Sequence, residues 1–129
     1  MKIAILIVRS LLGLAFVVFG LNGFLHFIPM GPPPAPDSPA GQFIAAVSTT
    51  GYMTVVFVCQ FVGGLLLLVN FLPVLGLTIL CPVVFNIVLF HATMEPKDMP
   101  IALGAAALSL FLIWAYWDHY RHLFRQPNK

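Results

Sequence analysis

Charged side chains are scarce in this sequence, and their scarcity excludes most classes of protein. The 129 residues include six Lys or Arg and four Asp or Glu, 8% of the chain, whereas a water-soluble domain usually contains ~25%. Hydrophobic residues make up 60%. This composition excludes a water-soluble fold, disorder, collagen and coiled coil, and it predicts a single membrane domain over residues 1–129. The net charge of +2 is too small and too dispersed for a nucleic-acid partner.

Cysteine is almost absent as well. Cys59 and Cys81 are the two present, and each lies inside an apolar run. Neither forms a CxxC pair, which excludes the motif expected of a membrane thiol oxidoreductase, so we interpret both as small buried hydrophobic residues. The sequence also lacks a nucleophile beside a base, a carboxylate pair within the membrane and a glycine-rich phosphate loop. It therefore does not predict a self-sufficient enzyme.

Long apolar runs are abundant, and four of them are long enough to cross a bilayer. They predict spans over residues 3–27, 52–71, 74–90 and 100–117. The first begins like a signal peptide after Lys2, but no small-x-small cleavage site precedes His26, so we interpret it as a span. Pro73 predicts a tight hairpin between the second and third spans. The expected fold is all-α, an antiparallel bundle of four transmembrane helices.

The few basic residues are distributed unevenly about these spans. The group near the two termini comprises Lys2, Arg9, Arg121, Arg125 and Lys129, and Lys97 stands alone on the opposite side. Five against one predicts that both termini are cytoplasmic in the plasma (inner) membrane. Arg9 lies within a span, near its inner end, where we expect it to snorkel to the headgroups. An aromatic belt is expected nearby, formed by Trp114, Tyr116, Trp117 and Tyr120.

The first outer loop, residues 28–51, is rich in proline. Five prolines occur in the eight residues from Pro32 to Pro39, which favours an extended path. Ser38 followed by Pro39 is typical of a helix N-cap and first turn. The apolar spacing that follows predicts a short interfacial helix over residues 39–50.

Polar residues in and beside the predicted spans gather toward the outer side of the membrane. Asn22, Gln60 and Asn86 are expected in its outer half, and His26, His91 and Glu95 at the outer rim. Such placement predicts a polar pocket open to the outside, although amides also join helices without binding any ligand. Asn86 and His91 lie about 140° apart around an ideal helix, so we expect them to face one cavity only if the helix end unwinds. Transport of a small solute is less favoured, because no polar stripe continues through the inner half.

Haem or metal binding is a further alternative. His26 and His91 are placed at similar depth on two outward-running helices, and two histidines across a bundle can hold a b-type haem. Gly13, Gly20 and Gly23 offer room for a macrocycle. Glycines at such positions more often let helices pack closely, so the haem is the less favoured interpretation.

Several short motifs resemble, in order, those of DoxX-like membrane proteins. The motifs are RSLLG at 9–13, FGLNGF at 19–24, HFIP at 26–29, TGY at 50–52, GGLLL at 63–67, Pro73, PVVFN at 82–86, Phe90-His91 and Glu95-Pro96. The resemblance covers nearly the whole chain and implies a small four-helix membrane protein. Some family members are linked to thiosulfate:quinone oxidoreduction or to oxidative-stress complexes. The resemblance implies that the candidate functional positions include Arg9, Asn22, Asn86, His91 and Glu95.

One position departs from the family pattern. Gln60 stands where family members more usually have a glutamate before the Gly-Gly stretch. An amide in place of that carboxylate cannot carry a proton and is a poor metal ligand. We therefore expect an accessory or binding component of a membrane redox or stress-related assembly. Its pocket would take a quinone-like molecule or a lipid headgroup, since amide and imidazole groups hydrogen-bond carbonyls while apolar walls hold rings and tails. The alternative is a purely structural subunit of a larger membrane complex or a homo-oligomer, without a ligand of its own.

Overall fold

The computed structural model describes residues 1–128 as helices joined by short connections, with no β-strand in that range. The helices are α1 (Lys2–Leu25), α2 (Pro39–Thr49), α3 (Tyr52–Leu68), α4 (Pro73–Thr93), α5 (Met99–Ala115) and α6 (Trp117–Tyr120), with 3₁₀ turns at Pro96–Asp98 and Arg121–Phe124. The all-α fold expected from the sequence is confirmed. Lys129, one of the five basic residues counted above, lies outside the described residues.

Three segments are long and apolar enough to cross a membrane on their own, Lys2–Leu25, Pro73–Thr93 and Pro96–Ala115. The fourth crossing is less regular. Helix α3 has 17 residues and meets the same test only together with α2, from which it bends by 82°. The protein is therefore an integral membrane protein with three candidate spans, and with a fourth if α2 and α3, which bend near Gly51, are counted as one. Gly51 has a φ of 79°, a conformation that glycine adopts without steric cost.

The four long helices form a closed bundle. Contacts join α1 to α3, α3 to α4, α4 to α5 and α5 back to α1. Since successive crossings alternate in direction, each neighbouring pair is antiparallel. Five fully buried leucines fill the centre, namely Leu12, Leu67, Leu77, Leu80 and Leu112. Many other large apolar side chains are exposed around the bundle, as expected where lipid replaces water.

Glycines let α3 approach its two neighbours at backbone distance. A Cβ atom on Gly64 would lie 2.8 Å from the carbonyl oxygen of Gly13 on α1. At the preceding residue, about 100° around α3, a Cβ atom on Gly76 of α4 would lie 2.7 Å from the carbonyl oxygen of Gly63. These glycines therefore pack inside the bundle, and α3 lies between α1 and α4.

The hairpin between α3 and α4 occurs where Pro73 predicted it. Asn70 adopts a left-handed conformation with φ 57°, and the amide of Phe71 donates to the carbonyl of Leu66 at 3.1 Å. The amide of Asn70 also donates to the carbonyl of Leu67 at 3.3 Å, completing a Schellman motif. This motif ends α3 at Leu68, three residues before the predicted end of the span.

Arg9 lies inside the bundle beside this hairpin. Its side chain is 7% exposed, and Nη1 donates to the carbonyl oxygens of Leu67 and Leu68. These are among the last carbonyls of α3, which have no partner within the helix and carry the negative end of its dipole. The expectation that Arg9 snorkels to the headgroups is wrong, because its guanidinium is buried in the bundle and donates to the end of α3.

Tyr120 also turns inward rather than joining an aromatic belt. It is buried, and its hydroxyl lies 2.8 Å from Thr78 Oγ1 and donates to the carbonyl oxygen of Val74 at 3.1 Å. Because Arg9 and Tyr120 both contact the hairpin region, the two chain termini lie at one end of the bundle, here called the termini end. The opposite end, which carries residues 26–51 and the turn at Pro96–Asp98, is called the loop end.

At the loop end, α2 begins as the sequence predicted. Ser38 Oγ accepts a hydrogen bond from the amide of Gly41 at 3.0 Å, and Pro39 occupies the first turn. This is an ordinary N-cap, in which the side chain satisfies an amide that the helix leaves unpaired. Helix α2 packs against α3 at the loop end. Its Phe43 contacts Phe90 of α4, with ring centroids 5.5 Å apart.

Candidate functional site

A cavity of about 450 Å³ lies between α2, α3 and α4 at the loop end. Its lining comprises Phe43, Ile44, Tyr52, Met53, Val55, Val56, Cys59, Gln60, Pro82, Val83, Asn86, Ile87, Phe90 and His91. The walls are mostly aliphatic and aromatic, with a few polar groups between them. Small-molecule sites have this character, and their volumes are typically ~300–1,000 Å³.

Gln60 is the most telling polar group in this cavity. Four polar or charged side chains of the described chain are buried, Arg9, Asn22, Gln60 and Ser109. Arg9, Asn22 and Ser109 each form hydrogen bonds. Gln60 is 7% exposed as a residue, and its amide takes part in none of the hydrogen bonds among residues 1–128. The amide atoms are not fully enclosed, since every enclosed side-chain nitrogen or oxygen of the described residues has a partner. A cavity occupant can therefore reach this amide, and a hydrogen bond to it contributes roughly 0.5–1.5 kcal/mol.

His91 lines the same cavity in a defined orientation. Its Nδ1 lies 2.7 Å from the backbone carbonyl oxygen of Glu95, and its ring meets that of Phe90 edge to face with centroids 5.2 Å apart. A carbonyl oxygen only accepts hydrogen bonds, so Nδ1 carries a hydrogen and donates it to Glu95. In the neutral form of the ring, Nε2 then carries the lone pair. Glu95 thus supports the site through its backbone, and its carboxylate is not part of the lining.

Asn86 supplies the third polar side chain. Its Nδ2 donates to the carbonyl oxygen of Pro82, one turn earlier in α4, at 2.8 Å. This bond uses one of the two amide hydrogens and leaves Oδ1 as an acceptor. Asn86 is exposed, so a ligand in the cavity can reach it.

Asn86 and His91 face one cavity although α4 stays helical through Thr93. The expectation that the helix end must unwind is therefore wrong. The lining residues of α4, from Pro82 to His91, cover about half of the helix circumference at ~100° per residue. A cavity this wide takes in both side chains without any distortion of the helix.

Asn22 and His26 are not brought into this cavity. Asn22 is 6% exposed, and both ends of its side-chain amide bond to the backbone of Ile28. Oδ1 accepts from the Ile28 amide at 2.7 Å, and Nδ2 donates to the Ile28 carbonyl oxygen at 3.2 Å. His26 is exposed and ends α1 with a φ of 54°. Both residues shape the chain reversal after α1. Of the six predicted site residues, the structure therefore brings together Gln60, Asn86 and His91, with Glu95 behind His91.

Several lining residues escaped the sequence reasoning. Tyr52, Val56 and Gln60 recur every four residues, so they share one face of α3, and this spacing was a usable signal. Cys59 lines the cavity and is half-buried, whereas the sequence suggested only a buried hydrophobic residue. Phe43 and Ile44 had no local signal, because their role depends on the 82° bend that brings α2 over the cavity.

The room that a haem would need is already filled. A Cβ atom on Gly23 would overlap the ring of Phe57, and one on Gly20 would lie 2.8 Å from the backbone nitrogen of Phe61. The glycines of α1 therefore hold α3 and not a macrocycle. Within residues 1–128, no three His, Cys, Asp or Glu side chains are grouped as metal ligands. The residues present do not fit the haem alternative.

No family model, curated protein or solved structure matches the chain. The resemblance to DoxX-like proteins stays a prediction from short motifs. Function therefore has to be argued from the cavity.

Proposed function

We propose that this chain is a membrane-embedded binding protein whose cavity between α2, α3 and α4 takes a lipophilic molecule with a polar head, of the quinone or lipid-headgroup kind. The observation that carries this proposal is Gln60, a residue with little exposed surface whose amide lines the cavity and forms no hydrogen bond within residues 1–128. In line with the DoxX-like resemblance, we further propose that the protein is an accessory component of a membrane redox or stress-related assembly and has no catalytic centre of its own.

The chemistry of the cavity suits such a ligand. Phe43 and Phe90 offer flat apolar surfaces to a ring, and the valines of α3 and α4 offer aliphatic contact to a tail. Gln60, Asn86 and His91 offer a few directional hydrogen bonds for the head. Many apolar contacts with a few placed polar groups favour an amphipathic molecule over an ion or a sugar.

The hydrogen bonds favour binding over interhelical attachment. Amides that join helices would bond across the α3–α4 interface. Asn86 bonds within its own helix, and the Gln60 amide has no bond among the described residues. The same residues therefore keep hydrogen-bonding capacity for a ligand.

A second candidate function, the purely structural subunit, is favoured by one surface feature. A Cβ atom on Gly104 would have no atom of this chain within 4 Å, and Ala107, three residues later on the same face of α5, is also exposed. Small residues on an exposed helix face suit close packing against another membrane helix. Gly20 of α1, by contrast, packs against α3 inside the chain.

A binding measurement with a matched control tests the cavity. The solubilised protein is titrated with a short-tailed benzoquinone, and native mass spectrometry identifies any molecule retained from the membrane. Gln60→Leu removes the amide and is expected to weaken binding by about tenfold, the equivalent of ~1.4 kcal/mol. Gln42→Leu is the control, because Gln42 is exposed on α2 and is not a lining residue. Equal affinity in the wild type and Gln60→Leu would contradict the proposal.

A further inference from the structure

The α4 wall of the cavity carries more hydrogen-bond acceptors than donors. His91 and Asn86 are its polar side chains, and each already spends a donor within the protein. The donors and acceptors that remain free for a ligand are therefore fewer than a free histidine and a free asparagine would offer. The excess of acceptors over donors determines which ligands the cavity can satisfy.

At His91, the ring nitrogen that can donate is already used. Nδ1–H is directed at the carbonyl of Glu95, and the neutral ring leaves Nε2 with a lone pair and no hydrogen. The bond lies at the end of α4, where Glu95 N and Met94 N both donate to the carbonyl of Phe90, so the acceptor is held in place. Nε2 of the neutral ring can consequently accept a hydrogen bond from a ligand.

At Asn86, one amide hydrogen is used by the carbonyl of Pro82. The side chain retains Oδ1, which accepts two hydrogen bonds, and a single N–H. Together with the lone pair on Nε2 of His91, the α4 wall presents three acceptor lone pairs and one donor hydrogen. The amide of Gln60 across the cavity adds two lone pairs and two hydrogens, so acceptor sites still outnumber donors.

We infer that the cavity selects a ligand with a hydroxyl donor, such as a phenol or a quinol, over the corresponding carbonyl or ether. This inference rests on the proposed function, because it concerns the same cavity. A hydroxyl donates to Nε2 of His91 or Oδ1 of Asn86 and still accepts from Gln60. A carbonyl only accepts, so it leaves Nε2 facing it without a donor, and an ether fails for the same reason. For a quinone couple, the reduced form is the preferred occupant.

A matched pair of probes tests this selectivity without redox chemistry. The pair is 4-hexylphenol and its methyl ether, which differ in a single hydroxyl hydrogen and have nearly the same apolar body. Affinities are measured by calorimetric titration of the protein in micelles, with protein-free micelles subtracted. The phenol is expected to bind about fivefold tighter, the contribution of one neutral hydrogen bond. His91→Phe keeps a ring beside Phe90 and is expected to lower the phenol affinity while leaving the ether unchanged.

His119→Phe is the matched control, since His119 is exposed at the termini end and far from the lining residues along the chain. A second measurement needs no variant of the binding site. In protein labelled with ¹⁵N-histidine, the His91 resonances should report a proton on Nδ1 in the empty state. On addition of the phenol, the Nε2 resonance should move, whereas the ether should leave it in place.

The outcomes separate this inference from the proposed function. Equal affinity for the phenol and the ether would overturn the selectivity and leave the binding cavity intact. A proton on Nε2 in place of Nδ1 would overturn it too. Binding of neither probe would reject the cavity as a binding site altogether, and the selectivity with it. Preferential phenol binding that disappears in His91→Phe would establish both.

Discussion

Arg9 of α1 donates a hydrogen bond to the main-chain carbonyl of Leu67, at the C-terminal end of α3. The guanidinium thereby replaces the hydrogen-bond donors that the last turn of a helix lacks. One residue pair thus joins the first helix of the bundle to the helix that carries Gln60. The depth and direction of α3 depend in part on this contact.

Replacement of Arg9 should therefore destabilise the whole bundle. Arg9→Met is expected to lower the free energy of unfolding by about 1.5–3 kcal/mol, because it removes a charged donor from the Leu67 and Leu68 carbonyls at the end of α3. Reversible unfolding in mixed micelles with increasing SDS measures this value. Arg121→Met is the control: Arg121 is exposed and pairs with Asp118 at 3.6 Å, so its loss should change stability by less than about 0.5 kcal/mol. Equal effects of the two substitutions would contradict the capping role.

Two glycines with different surroundings should respond differently to the same substitution. Gly64→Leu is expected to cost at least ~3 kcal/mol or to prevent folding, because even its Cβ would lie 2.8 Å from the Gly13 carbonyl oxygen. Gly104→Leu should change the free energy of unfolding by less than about 0.5 kcal/mol, since its Cβ would meet open space. The same unfolding measurement checks both. A folded Gly104→Leu protein that loses a stoichiometric membrane partner would support the structural alternative.

Tyr120 should make stability fall at high pH. Burial raises the pKa of its phenol, while the hydrogen bond with Thr78 lowers it and the neighbouring Cys81 and Tyr116 raise it. A raised folded-state pKa favours the protonated form, so this contribution is complete below the ordinary tyrosine pKa of ~10. It is lost as pH rises through the raised value.

Comparison of the wild type with Tyr120→Phe isolates this effect from the other groups that titrate above pH 10. Phenylalanine should cost about 1 kcal/mol at neutral pH, for the hydrogen bonds to Thr78 and Val74. The stability difference should shrink as the pH is raised beyond ~10, and ultraviolet titration should show a late tyrosine ionisation that is missing from Tyr120→Phe. A pH-independent difference would exclude the raised pKa.

Much of the architecture was predictable because it depends on local composition and spacing. Long apolar runs predicted the helices, Ser38-Pro39 predicted the start of α2, and Pro73 predicted the hairpin. Helix ends were less predictable. Helix α3 stops at Leu68 because Asn70 turns left-handed and Arg9 caps the last carbonyls, and neither interaction is visible in hydropathy.

The candidate site was predictable only in part. Gln60, Asn86 and His91 stood out because polar side chains within spans are costly and few. Asn22 belonged to the same group by that criterion, yet its amide is committed to Ile28 six residues later. Sequence patterns identify polar residues near one depth, but they do not distinguish a group that bonds to the backbone from one that is left for a ligand.

Apolar run length and scarce charge were enough to predict an integral membrane protein, because long uncharged apolar helices are stable in lipid. Spacing along the predicted spans also placed several polar residues toward one end. Which of these residues share a cavity follows from helix packing, since it depends on the backbone contact between Gly63 and Gly76 and on the bend at Gly51. Helix packing and chain reversal bring together residues far apart in sequence, and their geometry is set by contacts that no local pattern encodes.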